Sequence, residues 1–343
     1  MKVVVENKIP FIAGVLDPVA EVVYLAPEDI TPAAVADANA LIVRTRTRCD
    51  AALLDGSAVK WIGTATIGTD HIDLDYCRRR GIEVANAPGC NAPAVAQYVF
   101  AALERLLPEG PAGRSIGIVG VGNVGSIVAR QAERAGMEVL LCDPPRARRE
   151  GGDRFVSLDE IARRADVITF HVPLSHDGPD ATFHLADSDF YARCLHHPVI
   201  INAARGPVVD TAATVEALDG RLIAAAVIDC WENEPTIDRQ LLDRVAIATP
   251  HVAGYSLQGK QRATAMIADA FAAAHGIDPA RLGPLPFDRP TAPTDVILSP
   301  ADIALYDIAA DDRALRRDPD AFESLRNNYN YRSEQQPFNT SPK

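Results

Sequence analysis

The sequence has no stretch approaching the roughly twenty consecutive apolar residues of a membrane span. Met1 leads straight into a strand-like run rather than into the basic and apolar regions of a signal peptide. Cysteine is scarce and scattered: Cys49, Cys77, Cys90, Cys142, Cys194 and Cys230 form no CxxC pair. That excludes a disulfide-stapled secreted scaffold and fits reduced thiols, so a cytoplasmic, soluble protein is expected with no membrane partner. Positive charge is in deficit, with 34 Lys and Arg against 46 Asp and Glu for a net charge of -12. Such a surface repels a phosphate backbone, and the one basic cluster, Arg146 to Arg149, is offset by Glu150 and Asp153, so no nucleic-acid partner is expected. The histidines show no HxxxH pair or His/Asp cluster, so no metal is expected. An acidic exterior still permits a small anionic substrate, because an arginine in a cleft outweighs distant, salt-screened charge.

What is present is an alternation of apolar runs and helical stretches over 343 residues, 48% of them hydrophobic, enough for two cores. Lys2 to Glu6, Val22 to Leu25, Ala40 to Val43, Trp61 to Thr66 and Ile82 to Ala85 read as strands of a first α/β unit. Pro93 can open a helix, and Ala94 to Leu107 is so uniformly apolar that it should be buried, linking two domains. Ser115 to Val121, the helix Val124 to Ala135 and Glu138 to Cys142 then form a βαβ unit. Strands at Val167 to His171, Pro198 to Asn202, Ala225 to Asp229 and Val245 to Ala248, with helices near Asp159 to Arg164 and Thr211 to Asp219, imply a doubly wound parallel sheet. After a helix from Gln258 to His275, closely spaced prolines mark a linker, followed by a charged segment from Asp302 to Arg332.

Gly120-Val121-Gly122-Asn123-Val124-Gly125 follows a strand and opens a helix, the context a dinucleotide fingerprint requires. The first glycine permits the tight turn, the second lets a pyrophosphate approach the backbone, and the third lets helix pack on strand. Asp143 ends the next strand, where a carboxylate accepts the adenosine ribose hydroxyls and repels a 2′-phosphate, so NAD is the expected cofactor. Arg146 and Arg148 keep NADP open, since a guanidinium there can hold that phosphate; solvated surface arginines are the plainer explanation.

Oxidation of a secondary alcohol beside a carboxylate needs a base, a cation for the carboxylate, and a group that sets the base's pKa. Arg205, Glu234 and His251 each follow an apolar strand, at the carboxyl ends where an open α/β sheet binds ligands. A bidentate guanidinium at Arg205 could grip the carboxylate, and Glu234 could fix the His251 tautomer. Taken singly each has a plain alternative: a surface ion pair, a Glu-Pro turn and a loop histidine. Arg44, Thr45, Thr64 and Thr66, at the ends of two first-domain strands, offer further donors to an anionic ligand.

In order, the fingerprint, Asn202-Ala203-Ala204-Arg205-Gly206-Pro207, and Asp229-Cys230-Trp231-Glu232-Asn233-Glu234-Pro235 with Pro250-His251 resemble the D-isomer-specific 2-hydroxyacid dehydrogenases. The resemblance implies an NAD-binding Rossmann domain over 93–255, a smaller flavodoxin-like substrate domain from 1–92 and 256–278, and a linker with a short dimerisation segment over 279–343. It implies catalytic Arg205, Glu234 and His251. Cofactor contacts would come from Gly120, Gly122, Asn123, Val124, Gly125, Asp143, Ala203, Ala204, Arg205, Asp229 and Gly254. Further segments, Val43-Arg44-Thr45, Gly63 to His71, Ala87 to Asn91, Leu141 to Arg146 and His251 to Tyr255, resemble members that take a phosphorylated 2-hydroxy acid, which implies substrate contacts at Arg44, Thr45, Thr66 and Tyr255 and a homodimer. The alternatives are a phosphoglycerate- or glyoxylate-type member, or a non-catalytic NADH-sensing protein on the same fold.

Overall fold

The computed structural model describes residues 1–336; residues 337–343, the end of the expected dimerisation region, lie outside the described residues. The chain divides into two compact units, Met1–Asn91 with Leu257–Asp295, and Ala92–Ser256 with the residues from Val296 onward.

In the first unit β1 (Lys2–Glu6), β2 (Glu21–Leu25), β3 (Ala40–Val43), β4 (Trp61–Thr64) and β5 (Glu83–Ala85) form a parallel sheet in the order β2-β1-β3-β4-β5. The central strands are buried throughout because both faces are covered. On one face Ile267 and Phe271 of the helix Leu257–Ala274 pack with Trp61, whose ring meets that of Phe271 edge-on at 5.6 Å. On the other lie Leu53, Leu54, Tyr76 and Cys77 from two short helices. β4 stops two residues earlier than its sequence suggests. Beyond Thr64 the chain turns, with Thr64 and Thr66 hydroxyls 2.7 Å apart and Thr66 donating to the Gly68 carbonyl at 3.1 Å.

The second unit holds six parallel strands, β6 (Ser115–Val119), β7 (Glu138–Cys142), β8 (Val167–Phe170), β9 (Val199–Asn202), β10 (Ala225–Ile228) and β11 (Ile247–Ala248), in the order β11-β10-β9-β8-β6-β7. The order reverses at β6, so the crevice beyond the carboxyl ends of β6 and β8 is the switch point at which doubly wound sheets bind ligands. β6 ends before its expected limit because Gly120 turns there with φ 89°. The helix Ala92–Leu106 starts at the boundary after Asn91 and is buried over all but its last turn, as its composition requires.

Residues 279–336, expected as linker and dimerisation region, divide between the two units. Residues up to Asp295 belong to the first unit, where Gly283 N–H donates to the Val15 carbonyl at 2.8 Å. The charged segment folds as helices Pro300–Ile303, Ile308–Arg317 and Phe322–Asn327 on the second unit. There Asp312 accepts from Ala248 N–H at 2.8 Å, covering the open edge at β11. All six cysteines are buried and free. Among the described residues no helix is long and apolar enough to cross a membrane.

Candidate active site

The fingerprint glycines each meet a different constraint. An added Cβ at Gly125 would fall 2.0 Å from the Gly120 carbonyl oxygen, so only glycine lets the helix Asn123–Arg134 pack on β6. At Gly122 a Cβ would meet nothing within 4 Å, leaving a cradle that a side chain would fill. No side chain caps that helix, so its first N–H groups and positive dipole end face an anion site. Asp143 closes β7 and is oriented by backbone donors: Oδ2 accepts from Val121 N–H at 2.8 Å and Oδ1 from Arg146 N–H at 2.9 Å. Arg146 pairs with Glu150 at 2.7 Å and donates to the Val121 carbonyl, while Arg148 pairs with Asp180. Both arginines are thus engaged by acids, which weakens the case for a 2′-phosphate. These residues fit NAD.

The three expected catalytic residues lie past the carboxyl ends of adjacent strands, Arg205 after β9, Glu234 after β10 and His251 after β11. Buried Asn202 shapes the first loop, its Nδ2 donating to the Arg205 carbonyl at 2.9 Å and its Oδ1 accepting from Ala204 N–H at 3.2 Å. The Arg205 and Glu234 loops press together at Gly206, where a Cβ would fall 2.0 Å from the Trp231 carbonyl oxygen. The Trp231 indole N–H, in turn, donates to the Thr249 carbonyl at 2.9 Å, tying the Glu234 loop to the one that carries His251.

His251 Nδ1 lies 2.6 Å from Glu234 Oε1, and the other carboxylate oxygen accepts from Trp231 N–H at 3.2 Å. Burial works against the imidazolium, yet the Cys230 and Glu234 side chains hold the His251 pKa well above its ordinary 6.5. Burial also raises the Cys230 thiol, so the ionised neighbour at neutral pH is Glu234. Burial would raise Glu234, but His251 and, further off, Arg326 hold it below the usual carboxylate range. An imidazole fixed at Nδ1, with 26% of its side chain exposed, is arranged to exchange a proton through Nε2.

Asp229, expected at the cofactor, is 1% exposed and also organises the loop. Its Oδ1 accepts from Thr249 Oγ1 at 2.7 Å and Val252 N–H at 2.8 Å, and its Oδ2 from Ala253 N–H at 3.0 Å. Ala203, Ala204, Asn123, Val124 and Gly254 lie in the same second-unit loops and helix start as the residues above. Tyr255 presents its ring edge-on to Tyr329 at 5.8 Å. On the first unit Arg44 donates from its backbone N–H to buried Glu6 at 2.9 Å and from Nη1 to the Lys8 carbonyl at 2.9 Å, and Thr45 is exposed. Thr66 stands in a hydroxyl chain that runs through Thr64 to His71 Nε2 at 3.1 Å.

Sequence reasoning gave His71 and His184 no role. His71 is held neutral by burial, its pKa pushed down to about 4. His184 joins Glu232 at 2.7 Å and Asp210 at 3.2 Å, bracing the loops after β9 and β10. Arg326 and Arg332, from the charged C-terminal segment, were also missed. No spacing rule connects them to the loop after His251.

A doubly wound NAD fold carrying an Arg, Glu and His at its strand ends defines an NAD-dependent oxidoreductase of 2-hydroxy acids. Residues 95–253 match the family described as D-isomer specific 2-hydroxyacid dehydrogenase, NAD binding domain. The erythronate-4-phosphate dehydrogenase of Bacteroides thetaiotaomicron is 45% identical over 99% of this chain and 99% of its own. That of Bacteroides fragilis is 47% identical over 98% of this chain and 97% of its own. A Thermus thermophilus protein of solved structure, 27% identical, aligns over 82% of this chain and 99% of its own with a TM-score of 0.67. The chain belongs to the erythronate-4-phosphate dehydrogenase family of D-2-hydroxyacid dehydrogenases.

Proposed function

We propose that this chain oxidises 4-phospho-D-erythronate to (R)-3-hydroxy-2-oxo-4-phosphobutanoate with NAD, a step in the biosynthesis of pyridoxal 5′-phosphate (vitamin B6). The observation that carries the reading is the 2.6 Å His251–Glu234 contact in a chain so similar, end to end, to erythronate-4-phosphate dehydrogenases. NAD, when bound, supplies the nicotinamide that accepts the hydride from substrate C2. Gly120, Gly122, Asn123, Val124 and Gly125 would hold its pyrophosphate, Asp143 its adenosine ribose, and Ala203, Ala204, Arg205, Asp229 and Gly254 its nicotinamide end. His251, neutral at the start, takes the C2 hydroxyl proton on Nε2. Glu234 then stabilises the imidazolium by the charge it already places at Nδ1. Arg205 holds the substrate carboxylate and polarises the developing carbonyl. Arg44, Thr45 and Thr66 on the first unit and Tyr255 on the second are substrate contacts in this reading.

A homodimer in the cytoplasm completes the proposal. Exposed Ile297 and Leu305 in the C-terminal segment offer apolar surface for a second copy, and six free buried thiols suit a reducing compartment. Light scattering that finds only monomer across micromolar concentrations would refute the dimer. The activity is tested by mixing protein, NAD and 4-phospho-D-erythronate, following absorbance at 340 nm, and identifying the product by mass spectrometry. A 2-oxo acid acceptor is added if slow NADH release limits turnover. Formation of the 2-oxo product supports the reading, and its absence under both conditions overturns the substrate assignment.

A further inference from the structure

The C-terminal segment contributes two arginines with contrasting surroundings to the region around Tyr255. Arg332 is fully engaged. Its guanidinium donates to the carbonyls of Val252 at 3.0 Å, Tyr255 at 3.1 Å, Ala94 at 3.0 Å and Ala253, and it lies 3.9 Å from the Tyr306 ring centroid. It clamps the loop after His251 from outside. Arg326, on the helix Phe322–Asn327, is 17% exposed and donates from Nη1 to Glu323 Oε1 at 2.9 Å. Its Nε is buried with no acceptor among the described residues.

A buried N–H of a charged group without an acceptor is destabilising, a cost that a bound anion removes. Arg326 lies within electrostatic reach of site residues. Tyr255 and Glu234 both act on its charge, and the segment just beyond it places Tyr329 and Tyr331 against the Tyr255 ring at 5.8 and 6.3 Å. A phosphorylated 2-hydroxy acid has an anion at each end. Arg205 is the cation for the carboxylate, and the phosphate requires a second one with a donor to spare. On the second unit, the Arg326 guanidinium, with its buried Nε left without an acceptor among the described residues, meets that description.

We infer that Arg326 is a specificity-determining residue that receives the substrate's phosphate group through its Nε and guanidinium edge. The inference rests on the functional reading above, because it assigns the non-reacting end of that substrate. An arginine suits the task better than a lysine, since its planar fork meets two phosphate oxygens at once.

The test uses the full-length Arg326→Gln and Arg326→Lys proteins. KM and kcat are measured with 4-phospho-D-erythronate and with unphosphorylated D-erythronate, and inorganic phosphate is titrated against each NADH complex by calorimetry. Arg326→Gln is expected to raise KM for the phosphorylated substrate about 10- to 100-fold with kcat nearly kept, and to weaken phosphate binding by a similar factor. KM for D-erythronate and the affinity for NADH should stay within about threefold. Equal losses with both substrates, or unchanged phosphate affinity, overturn the inference. If the wild-type protein fails to oxidise 4-phospho-D-erythronate, the functional reading falls, and the phosphate titration still decides Arg326. Should Arg326→Gln not fold, Arg326→Lys decides: phosphate binding weakened about tenfold supports the role, and wild-type affinity refutes it.

Discussion

Gly122 and Gly125 sit three residues apart in one motif, yet the structure assigns them opposite consequences on substitution. A methyl at Gly125 would lie 2.0 Å from the Gly120 carbonyl oxygen and 3.2 Å from an Ile118 methyl, so helix and strand must separate. Overpacking of this kind costs about 1–3 kcal/mol, and the helix-propensity gain of alanine, below about 1 kcal/mol, does not offset a backbone collision. For a protein of this size, Gly125→Ala should lower Tm by roughly 1–4 °C. A methyl at Gly122 meets nothing within 4 Å, and φ there is −80°, so the backbone is unstrained in sign. Gly122→Ala should therefore fold with stability within about 0.5 kcal/mol of wild type. Its methyl would instead occupy the space a pyrophosphate needs, lengthening charge-assisted bonds worth about 1.5–3 kcal/mol, or roughly 10- to 150-fold in NADH affinity. Thermal unfolding without cofactor and a fluorescence titration with NADH measure the two effects separately. If Gly122→Ala unfolds as early as Gly125→Ala, or binds NADH as tightly as wild type, the assignment of that cradle to the cofactor is refuted.

His251→Ala should reduce turnover at least about 100-fold while leaving NADH affinity within about twofold, because its imidazole acts on the substrate oxygen; a large loss of NADH binding in the same titration contradicts the role. Glu234→Gln removes the charge that raises the His251 pKa. Since oxidation needs neutral His251, the rising limb of kcat/KM against pH should move to lower pH in this variant, with activity down about 10- to 100-fold at its optimum. A limb that stays in place or moves upward would show that another group sets it.

Much of this protein was legible along the chain. The runs Lys2 to Glu6, Ala40 to Val43 and Glu138 to Cys142 became strands with those limits, because each carries consecutive apolar residues that a parallel sheet covered on both faces buries. Gly120 to Gly125 and Asp143 were readable because strand, turn and helix are consecutive and each residue's task is local. The order Arg205, Glu234, His251 was visible too, since each follows a strand.

Other features depend on distant segments meeting. Asp229 reads by position as a cofactor ligand, and only the fold shows that its two oxygens also accept from the amides of Val252 and Ala253 and the hydroxyl of Thr249. Residues 302–332 read simply as a charged segment, yet Asp312 caps the sheet edge and Arg332 enters the core of a loop about eighty residues earlier. Composition cannot reveal such a burial, because a charged side chain is stable inside only when specific partners arrive from elsewhere in the chain. The sequence alone determined the two parallel sheets and the cofactor motif, and it singled out Glu234 and His251 as a candidate pair, because strands, turns and glycine spacing are local properties of the chain. Only the tertiary structure decided which backbone groups the Asp229 oxygens accept from and that Arg326 retains an unmade hydrogen bond among the described residues, since both are properties of contacts between segments that lie far apart in the chain.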